Sequence, residues 1–271
     1  MKINFRNSAR NHVTAAKEFS AMDEGRGLRA ACLELRMAIE ALAYDLLQTY
    51  NAEVGESAMD KWQPRKVIDE LLYVDPHADK TSHIAVGVEE EYGKPAKEMR
   101  SLGTDHRFTV KWANKAHNSL GSYLHEPTIA QHRDGKVGQD HKIKTKIDEI
   151  LAELEPIFAS PIRGSNFGIF VTFDCACGFK IKRKQEFFNN EKELSCANCG
   201  RFFEYEKTGE NWHIQPSTMS FDCPGQDCDE RHTIERHEAK PRFETECVKC
   251  GETLIVGSQL TVGVKAAKPE R

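Results

Sequence analysis

The chain has 271 residues, of which 39% are hydrophobic and 30% charged, and its formal net charge is −4. This composition predicts a soluble globular protein of two or three domains with enough apolar side chains to form a core. No apolar run approaches the ~18 residues that are needed to cross a membrane. The negative charge excludes a general electrostatic attraction to nucleic acid, so any such contact requires a local basic patch.

Residues 1–160 carry the apolar periodicity of about five helices, which predicts an α-helical bundle. The clearest amphipathic segment is 28–50, where apolar residues alternate by three and four positions. Cys32 lies on this stripe and is predicted to be a buried, small apolar residue rather than a nucleophile. Pro64 suits the first turn of a third helix. The sequence of the interval 77–107 is compatible with either a strand or a short helix.

Two further helices complete the predicted bundle. Thr104 or Asp105 is placed to cap a helix that ends before Pro127. A last helix is predicted from about Asp140, with Pro156 marking its end.

Eight of the nine cysteines lie between positions 175 and 250 in four close pairs. The pairs are Cys175/Cys177, Cys196/Cys199, Cys223/Cys228 and Cys247/Cys250. In each copy 18 residues separate the two pairs, and the copies are offset by 51 positions. Gly200 and Gly251 follow the second pair of each copy and allow a tight turn. Two close thiolate pairs flanking a loop form a tetrahedral zinc site, so the sequence predicts two Zn²⁺ ions.

A disulfide framework is the alternative interpretation of these cysteines, and it needs an oxidising compartment. The first residues, MKINFRNSARNH, are polar and lack an apolar core, so we expect a cytoplasmic protein with reduced thiols. Four cysteine ligands leave no open coordination position, which predicts a structural role for each ion. Separate sites and cross-braced sites are both compatible with the spacing.

The predicted fold class is therefore α+β and multidomain: an N-terminal α-helical bundle is followed by two small β-rich zinc-ribbon modules. The bundle is assigned to residues 1–160 and the modules to 161–215 and 216–264. Residues 265–271 are predicted to be a disordered tail.

The second half of the predicted bundle is rich in histidine. On one helix Asn114, His117, Asn118 and Gly121 are three or four positions apart and share a surface. A histidine near its ordinary pKa can act as a general acid or base. Gly121 would let a backbone or substrate approach closely. The alternative is that His117 is a hydrogen-bonded core residue.

These residues resemble the HEPN superfamily, whose hallmark is an arginine, a polar residue and, after four to six positions, a histidine. Arg100 and His106 have five residues between them, although Ser101 stands at the polar position. The segment LELRMAIEALAYDLL is also similar to that superfamily, because Arg36 and Glu40 interrupt its amphipathic helix.

A second stretch with this resemblance starts at His117-Asn118 and ends at His125, with His117 in place of the arginine. The resemblance implies a compact, often dimeric helical bundle and, in many members, metal-independent endoribonuclease activity in toxin and phage-defence systems. The implied catalytic residues are Arg100 with His106, or His117 with Asn118 and His125.

A basic segment lies between the first two cysteine pairs. Its cationic residues are Lys180, Lys182, Arg183 and Lys184. As a strand it would direct the three lysines to one face, and aromatic residues follow closely. Cations beside aromatic rings suit single-stranded nucleic acid. The alternative is a solvated strand edge.

These features predict a zinc-stabilised, nucleic-acid-associated protein, and the resemblance to the HEPN superfamily implies a place in a prokaryotic defence or toxin system. Its partner would be RNA or single-stranded DNA, and the helical domain would mediate assembly as a homodimer or with a protein partner. A HEPN-type endoribonuclease, whose zinc modules select the substrate, is the first alternative. A protein-interaction subunit of a larger complex is the second. No membrane partner is expected.

Overall fold

A computed structural model of the chain describes residues 3–22, 25–91, 94, 96–135, 140–190, 193–240 and 243–256. The chain divides into two compact units. Unit 1 comprises Met1–Asp174 and Lys180–Glu191, and unit 2 comprises Cys175–Phe179 and Lys192–Arg271. The helical unit thus extends beyond position 160, where the sequence predicted a boundary. The predicted tail at 265–271 lies outside the described residues, as does 257–264.

Unit 1 consists of helices and two β-hairpins. Its helices are α1 (Phe5–Ala21), α2 (Gly25–Thr49), α3 (Pro64–Val74), α4 (Val110–Ser122), α5 (Ile129–Arg133), α6 (Asp140–Ala159) and α7 (Gln185–Phe188), with a 3-10 turn at Glu56–Ala58. Its strands are β1 (Ser82–Val86), β2 (Arg100–Asp105), β3 (Phe170–Asp174) and β4 (Lys180–Lys184). Both hairpins, β1–β2 and β3–β4, are antiparallel.

Helix α2 is the centre of the core of unit 1, because it packs against α1, α3, α4 and α6. The predicted apolar stripe is confirmed: Leu28, Leu35 and Ile39 are fully buried. Cys32 is buried in the same core, and burial raises the pKa of its thiol to about 12. Since the thiolate is the reactive form, this residue contributes packing rather than chemistry.

The interval that the sequence left ambiguous forms the β1–β2 hairpin, in which Val86 pairs with Arg100. A helix is therefore absent from 100–105, and the predicted cap at Thr104 or Asp105 is wrong. Helix α4 begins instead at Val110, where the Thr109 hydroxyl accepts the Trp112 N–H at 3.1 Å. Residues 100–105 do not join this helix because they pair with β1.

Helix α6 continues through Pro156 to Ala159, so the predicted end at this proline is wrong. Tertiary contacts explain the extra turn. Ile157 is buried in the core, and the guanidinium groups of Arg6 and Arg10 donate to the carbonyls of Ile157 and Phe158. These arginines satisfy carbonyl groups that the helix end would otherwise leave unpaired.

A chain of buried polar groups crosses the interior of unit 1. The Tyr50 hydroxyl donates to Asp75 Oδ2 at 2.6 Å, and Arg107 Nη1 lies 3.5 Å from the same hydroxyl. Arg107 also donates to Asp105 at 2.6 Å, and Asp105 accepts the Ser165 N–H at 2.9 Å. Each buried charge is therefore paired and hydrogen-bonded, which buried charges require.

Unit 2 is antiparallel throughout its described strands. They are β5 (Leu194–Ser195), β6 (Phe202–Thr208), β7 (Asn211–Pro216), β8 (Thr218–Asp222), β9 (Arg231–Glu235), β10 (Phe243–Glu246) and β11 (Thr253–Val256). Strands β5–β6–β7 form one sheet, while β8–β9 and β10–β11 are hairpins. The predicted α+β class is confirmed. Among the described helices none has the length and apolarity to span a membrane.

Candidate metal centres and a candidate nucleic-acid site

The four cysteines of the first copy converge on one point. Sγ of Cys175 lies 3.7 Å from Sγ of Cys199, and Sγ of Cys177 lies 3.6 Å from Sγ of Cys196. All four sulfur atoms lie within 4.8 Å of one another. A tetrahedral ion with Zn–S bonds of ~2.3 Å separates its ligand sulfurs by ~3.8 Å. The donor set therefore fits one zinc ion.

The second copy repeats this arrangement. Sγ of Cys223 lies 3.7 Å from Sγ of Cys250, and Sγ of Cys228 lies 3.8 Å from Sγ of Cys247. Each cluster draws its ligands from one copy of the repeat, so cross-bracing is excluded. The closest sulfurs are far beyond a disulfide bond of ~2.05 Å, which contradicts the disulfide alternative. The prediction of two structural zinc sites is confirmed.

Local hydrogen bonds define the turns that carry the cysteine ligands. The amide of Cys196 donates to the Arg201 carbonyl at 2.8 Å, and Gly200 N–H donates back to the Cys196 carbonyl at 2.9 Å. Cys247 and Gly251 make the equivalent bonds. Both glycines have positive φ, 75° and 72°, a conformation that other residues rarely adopt. The predicted role of these glycines is confirmed.

His232 lies on β9 of the second copy, four residues after Cys228. Its ring stacks on Phe221, with centroids 5.4 Å apart and an angle of 23° between the planes. The group of possible ligands at this site consists of the four cysteines. His232 therefore packs beside the site.

The predicted nucleic-acid-binding strand is β4, and most of its charges are engaged within unit 1. Lys182 Nζ lies 2.6 Å from Glu53 Oε1, and Lys184 Nζ lies 2.6 Å from Asp75 Oδ2. Arg183 is 1% exposed, and its guanidinium lies 4.6 Å from the centroid of the Tyr73 ring. Lys180 is the exposed cation of the strand. The predicted lysine face is thus largely occupied by acidic partners.

Arg100 and His106 lie on opposite ends of the β2 segment. Arg100 is exposed and pairs with Val86, whereas His106 lines a small pocket together with Asp45 and Arg163. Six residues of extended chain span roughly 20 Å. This candidate catalytic pair is therefore not brought together in that pocket.

His117 lies on α4 and is 7% exposed. Its Nε2 is 2.8 Å from Glu40 Oε1, and its backbone carbonyl accepts a hydrogen bond from Arg36 Nη1 at 2.7 Å. Arg36 and Glu40 interrupt the apolar stripe of α2 because both contact α4 at this point. His117 is thus a buried, hydrogen-bonded residue, as the alternative interpretation expected, and it also lines a pocket.

The sequence predicted that a backbone or a substrate approaches Gly121, whereas the group that approaches it in the structure is the Arg36 side chain. A Cβ at this position would overlap Arg36 Nη1. The glycine therefore leaves room for the guanidinium to cross α4 and reach the His117 carbonyl.

The pocket beside His117 has a volume of about 510 Å³, and we call it the Trp62 cleft. Residues lining it include Arg36, Trp62, Arg65, Lys66, His117 and Asn118. Helix α4 supplies Asn118, which is exposed, whereas His125 is exposed beyond the end of this helix. The structure therefore combines His117 and Asn118 with Arg36, rather than with His125 or Arg100.

Trp62, Arg65 and Lys66 were not among the site residues predicted from the sequence. The signal in the sequence was the hexapeptide KWQPRK at 61–66. Trp62 lies two positions before the proline that starts a helix, and two basic residues, Arg65 and Lys66, follow that proline directly. Trp62 is 57% exposed, unusually open for a large aromatic ring. The proximity of this segment to His117 could not be predicted, because it depends on the packing of α3 against α4.

Comparison of the chain with protein-family models, with curated proteins and with solved structures found no match in any of the three. The fold and the cysteine clusters define the class of protein: a helical unit joined to two Cys₄ zinc modules.

Proposed function

We propose that this protein is a zinc-stabilised, nucleic-acid-associated protein and that its helical unit binds single-stranded RNA or DNA in the Trp62 cleft. The observation that carries the proposal is the convergence of cations and an exposed indole in one depression. Proteins that bind single strands use cations to follow the phosphates and aromatic rings to stack the bases.

The charge of the cleft supports an anionic ligand. Arg36 donates to a neutral carbonyl, and Lys66 has no ion-pair partner within the described part of the chain. Arg65 shares its charge with Asp69, whose carboxylate lies 3.6 Å from Arg65 Nε. Among the residues that line the cleft, three cations stand against one carboxylate, on a protein of net charge −4. The nearby Glu40 carboxylate is engaged by His117. Contact with nucleic acid requires such a local patch in a protein of negative net charge.

The start of α3 adds to this potential. Pro64 occupies the first helical turn, and the side chain of the preceding Gln63 makes no capping hydrogen bond. The backbone N–H groups of a first helical turn carry a partial positive charge that attracts anions.

The basic strand β4 contributes less to this proposal than its sequence suggested. Glu53 and Asp75 neutralise Lys182 and Lys184, so these lysines serve the packing of unit 1. Lys180 stays the candidate contact of this strand. The assembly role of the helical domain and a place in a prokaryotic defence or toxin system rest on the HEPN resemblance alone.

Charge reversal in the cleft tests the proposal. In the zinc-loaded full chain, Arg65→Glu with Lys66→Glu should weaken binding of a fluorescently labelled single strand by at least ~10-fold and flatten its salt dependence. Acidic residues are favourable in a first helical turn, so the variant should still fold. The matched control, Lys17→Glu with Lys142→Glu, makes the same charge change at exposed positions on α1 and α6. Equal losses in both variants, or no loss, would contradict the proposal.

Stacking is tested separately. Trp62→Ala should weaken binding by about 1–3 kcal/mol, whereas Phe167→Ala removes an aromatic ring of similar exposure outside the cleft. Because the chain has three tryptophans, quenching of tryptophan fluorescence by an unlabelled strand reports contact with Trp62 where Trp62→Ala removes that quenching.

An endoribonuclease is the second candidate function, favoured by the presence of His117 in the same cleft. Glu40 fixes the orientation of the imidazole through Nε2 at 2.8 Å. A histidine held in this way can take the proton of an RNA 2′-hydroxyl. Arg36 supplies a fixed positive charge near the phosphate.

This activity predicts cleavage of RNA, but not of DNA, in buffer without added divalent ions. His117→Ala should abolish cleavage while His141→Ala, an exposed histidine on α6, should not. RNA that stays intact with the wild-type protein over a range of pH would leave binding as the function of the cleft.

A further inference from the structure

Two asparagines on α4 line the Trp62 cleft one helical turn apart. Asn118 Nδ2 donates a hydrogen bond to Asn114 Oδ1 at 3.2 Å. Asn118 is exposed and Asn114 is half-buried. The inner amide therefore holds the outer one in a fixed orientation at the surface of the cleft.

The hydrogen-bonding capacity of Asn118 is only partly used. A side-chain amide has two N–H donors and a carbonyl oxygen that accepts. One N–H binds Asn114, which leaves the oxygen and the second N–H without a partner in the described part of the chain. If both amide groups are flipped, Asn118 Oδ1 accepts from Asn114 Nδ2, and the two N–H donors and the second lone pair of the Asn118 oxygen remain available. Asn118 thus presents an adjacent donor and acceptor to the cleft.

We infer that the Trp62 cleft selects adenine, with Asn118 as the reader of the base edge and Asn114 as its positioning residue; this inference rests on the proposed function. An asparagine amide matches the N6 amino donor and the neighbouring ring-nitrogen acceptor of adenine. Uracil has no exocyclic amino group to offer. Cytosine has one, but its smaller ring stacks less extensively on Trp62. Guanine presents the O6 acceptor where adenine presents the N6 donor, so its edge offers two acceptors and does not match an amide that supplies one donor and one acceptor.

The size of the cleft fits this assignment. Its volume of about 510 Å³ lies within the ~300–1,000 Å³ of pockets that enclose a small molecule. This volume is sufficient for a single nucleotide. In the proposed mode its base would lie against Trp62 and Asn118, and its phosphate would lie near Arg36 and Lys66, which line the same cleft.

A pair of strands that differ by one functional group tests the inference. We would measure binding of the zinc-loaded full chain to oligoadenylate and to the same strand built from purine, which stacks but lacks the N6 amino group. The wild-type protein should prefer adenine by about tenfold. Asn118→Ala should reduce this ratio to near one while the purine strand still binds. Asn114→Ala should lower the ratio in part, because it releases Asn118 without removing it.

Asn51→Ala is the control, since Asn51 is an exposed asparagine in a turn outside the cleft and should leave the ratio unchanged. A wild-type protein that binds both strands equally overturns the inference and leaves the proposed function intact. A wild-type protein that binds neither strand, nor oligouridylate and oligocytidylate, overturns both.

Discussion

Lys184 Nζ lies 2.6 Å from Asp75 Oδ2, and the two side chains are 10% and 2% exposed. The same carboxylate accepts hydrogen bonds from the Tyr50 hydroxyl at 2.6 Å and from the His77 N–H at 2.9 Å. A lysine that the sequence assigned to phosphate binding therefore neutralises an acid inside the helical unit. This pair joins β4 to the end of α3.

Removal of this lysine should destabilise the protein. Lys184→Ala leaves Asp75 buried without its cation, and breaking a buried pair in this way costs about 3–5 kcal/mol. The measurement is the free energy of unfolding in urea. Lys180→Ala, at the exposed end of the same strand, should change this free energy by less than about 0.5 kcal/mol. Equal effects of the two substitutions would show that the ion pair is not decisive.

The stability of the protein should also depend on the ionisation of Asp75. Burial tends to raise the pKa of Asp75, but hydrogen bonds from Lys184, Tyr50 and the His77 N–H outweigh burial and lower it. A lowered pKa means that the stabilisation is fully present above the ordinary value of 3.8 and is lost as the pH falls through the folded-state pKa. Asp75→Asn should therefore be less stable than the wild type near neutral pH, with the difference shrinking below about pH 4. A difference that is constant with pH contradicts the assignment.

Gly121 and Arg36 should behave as a coupled pair. Gly121→Ala forces the guanidinium of Arg36 away from the His117 carbonyl, and the loss of a charged hydrogen bond costs about 1.5–3 kcal/mol. In the background of Arg36→Ala the same substitution should be neutral or stabilising, because alanine is favoured over glycine in a helix by about 1 kcal/mol. A double-mutant cycle in urea measures this coupling, and strict additivity would exclude the contact.

The wild-type chain should bind two zinc ions, one for each cysteine cluster. Cys196→Ser with Cys199→Ser should leave one ion per chain, and Cys247→Ser with Cys250→Ser should do the same. Elemental analysis of the purified protein provides the count. Chelation should unfold the zinc modules, because structural zinc supplies their folding energy. The helical far-ultraviolet signal of unit 1 should persist.

Cys32 should be inert in the native protein. Burial raises the pKa of its thiol to about 12, so the thiolate is scarce at neutral pH. Mass spectrometry after iodoacetamide treatment of the zinc-loaded chain should find Cys32 unmodified. The same treatment in denaturant should alkylate it fully, and rapid labelling of the folded protein would contradict its burial.

Residues whose partners are close in sequence were predicted correctly. The apolar stripe of α2 was clear because a helix repeats every 3.6 residues. Pro64 begins α3 as expected, because a proline at the first position of a helix sacrifices no hydrogen bond. By contrast, the prediction that Thr104 or Asp105 caps a helix was wrong, because Asp105 pairs with Ser82 in the β1–β2 hairpin and accepts a hydrogen bond from Ser165, which is distant in the chain. The predicted end of α6 at Pro156 was wrong because the contacts that extend the helix, such as that of Arg6 with the Ile157 carbonyl, come from residues far away in the chain.

The spacing of the cysteines alone determined the two metal centres, because each half-site is a turn of a few residues whose geometry is local. Only the tertiary structure decided that Lys182 and Lys184 face acidic partners, and that Trp62, Arg36 and His117 share one cleft. Helical periodicity shows which side of a helix is apolar, but it does not show which helix will cover that side. The charges of a segment are likewise visible in its sequence, whereas the groups that neutralise them are brought there by packing.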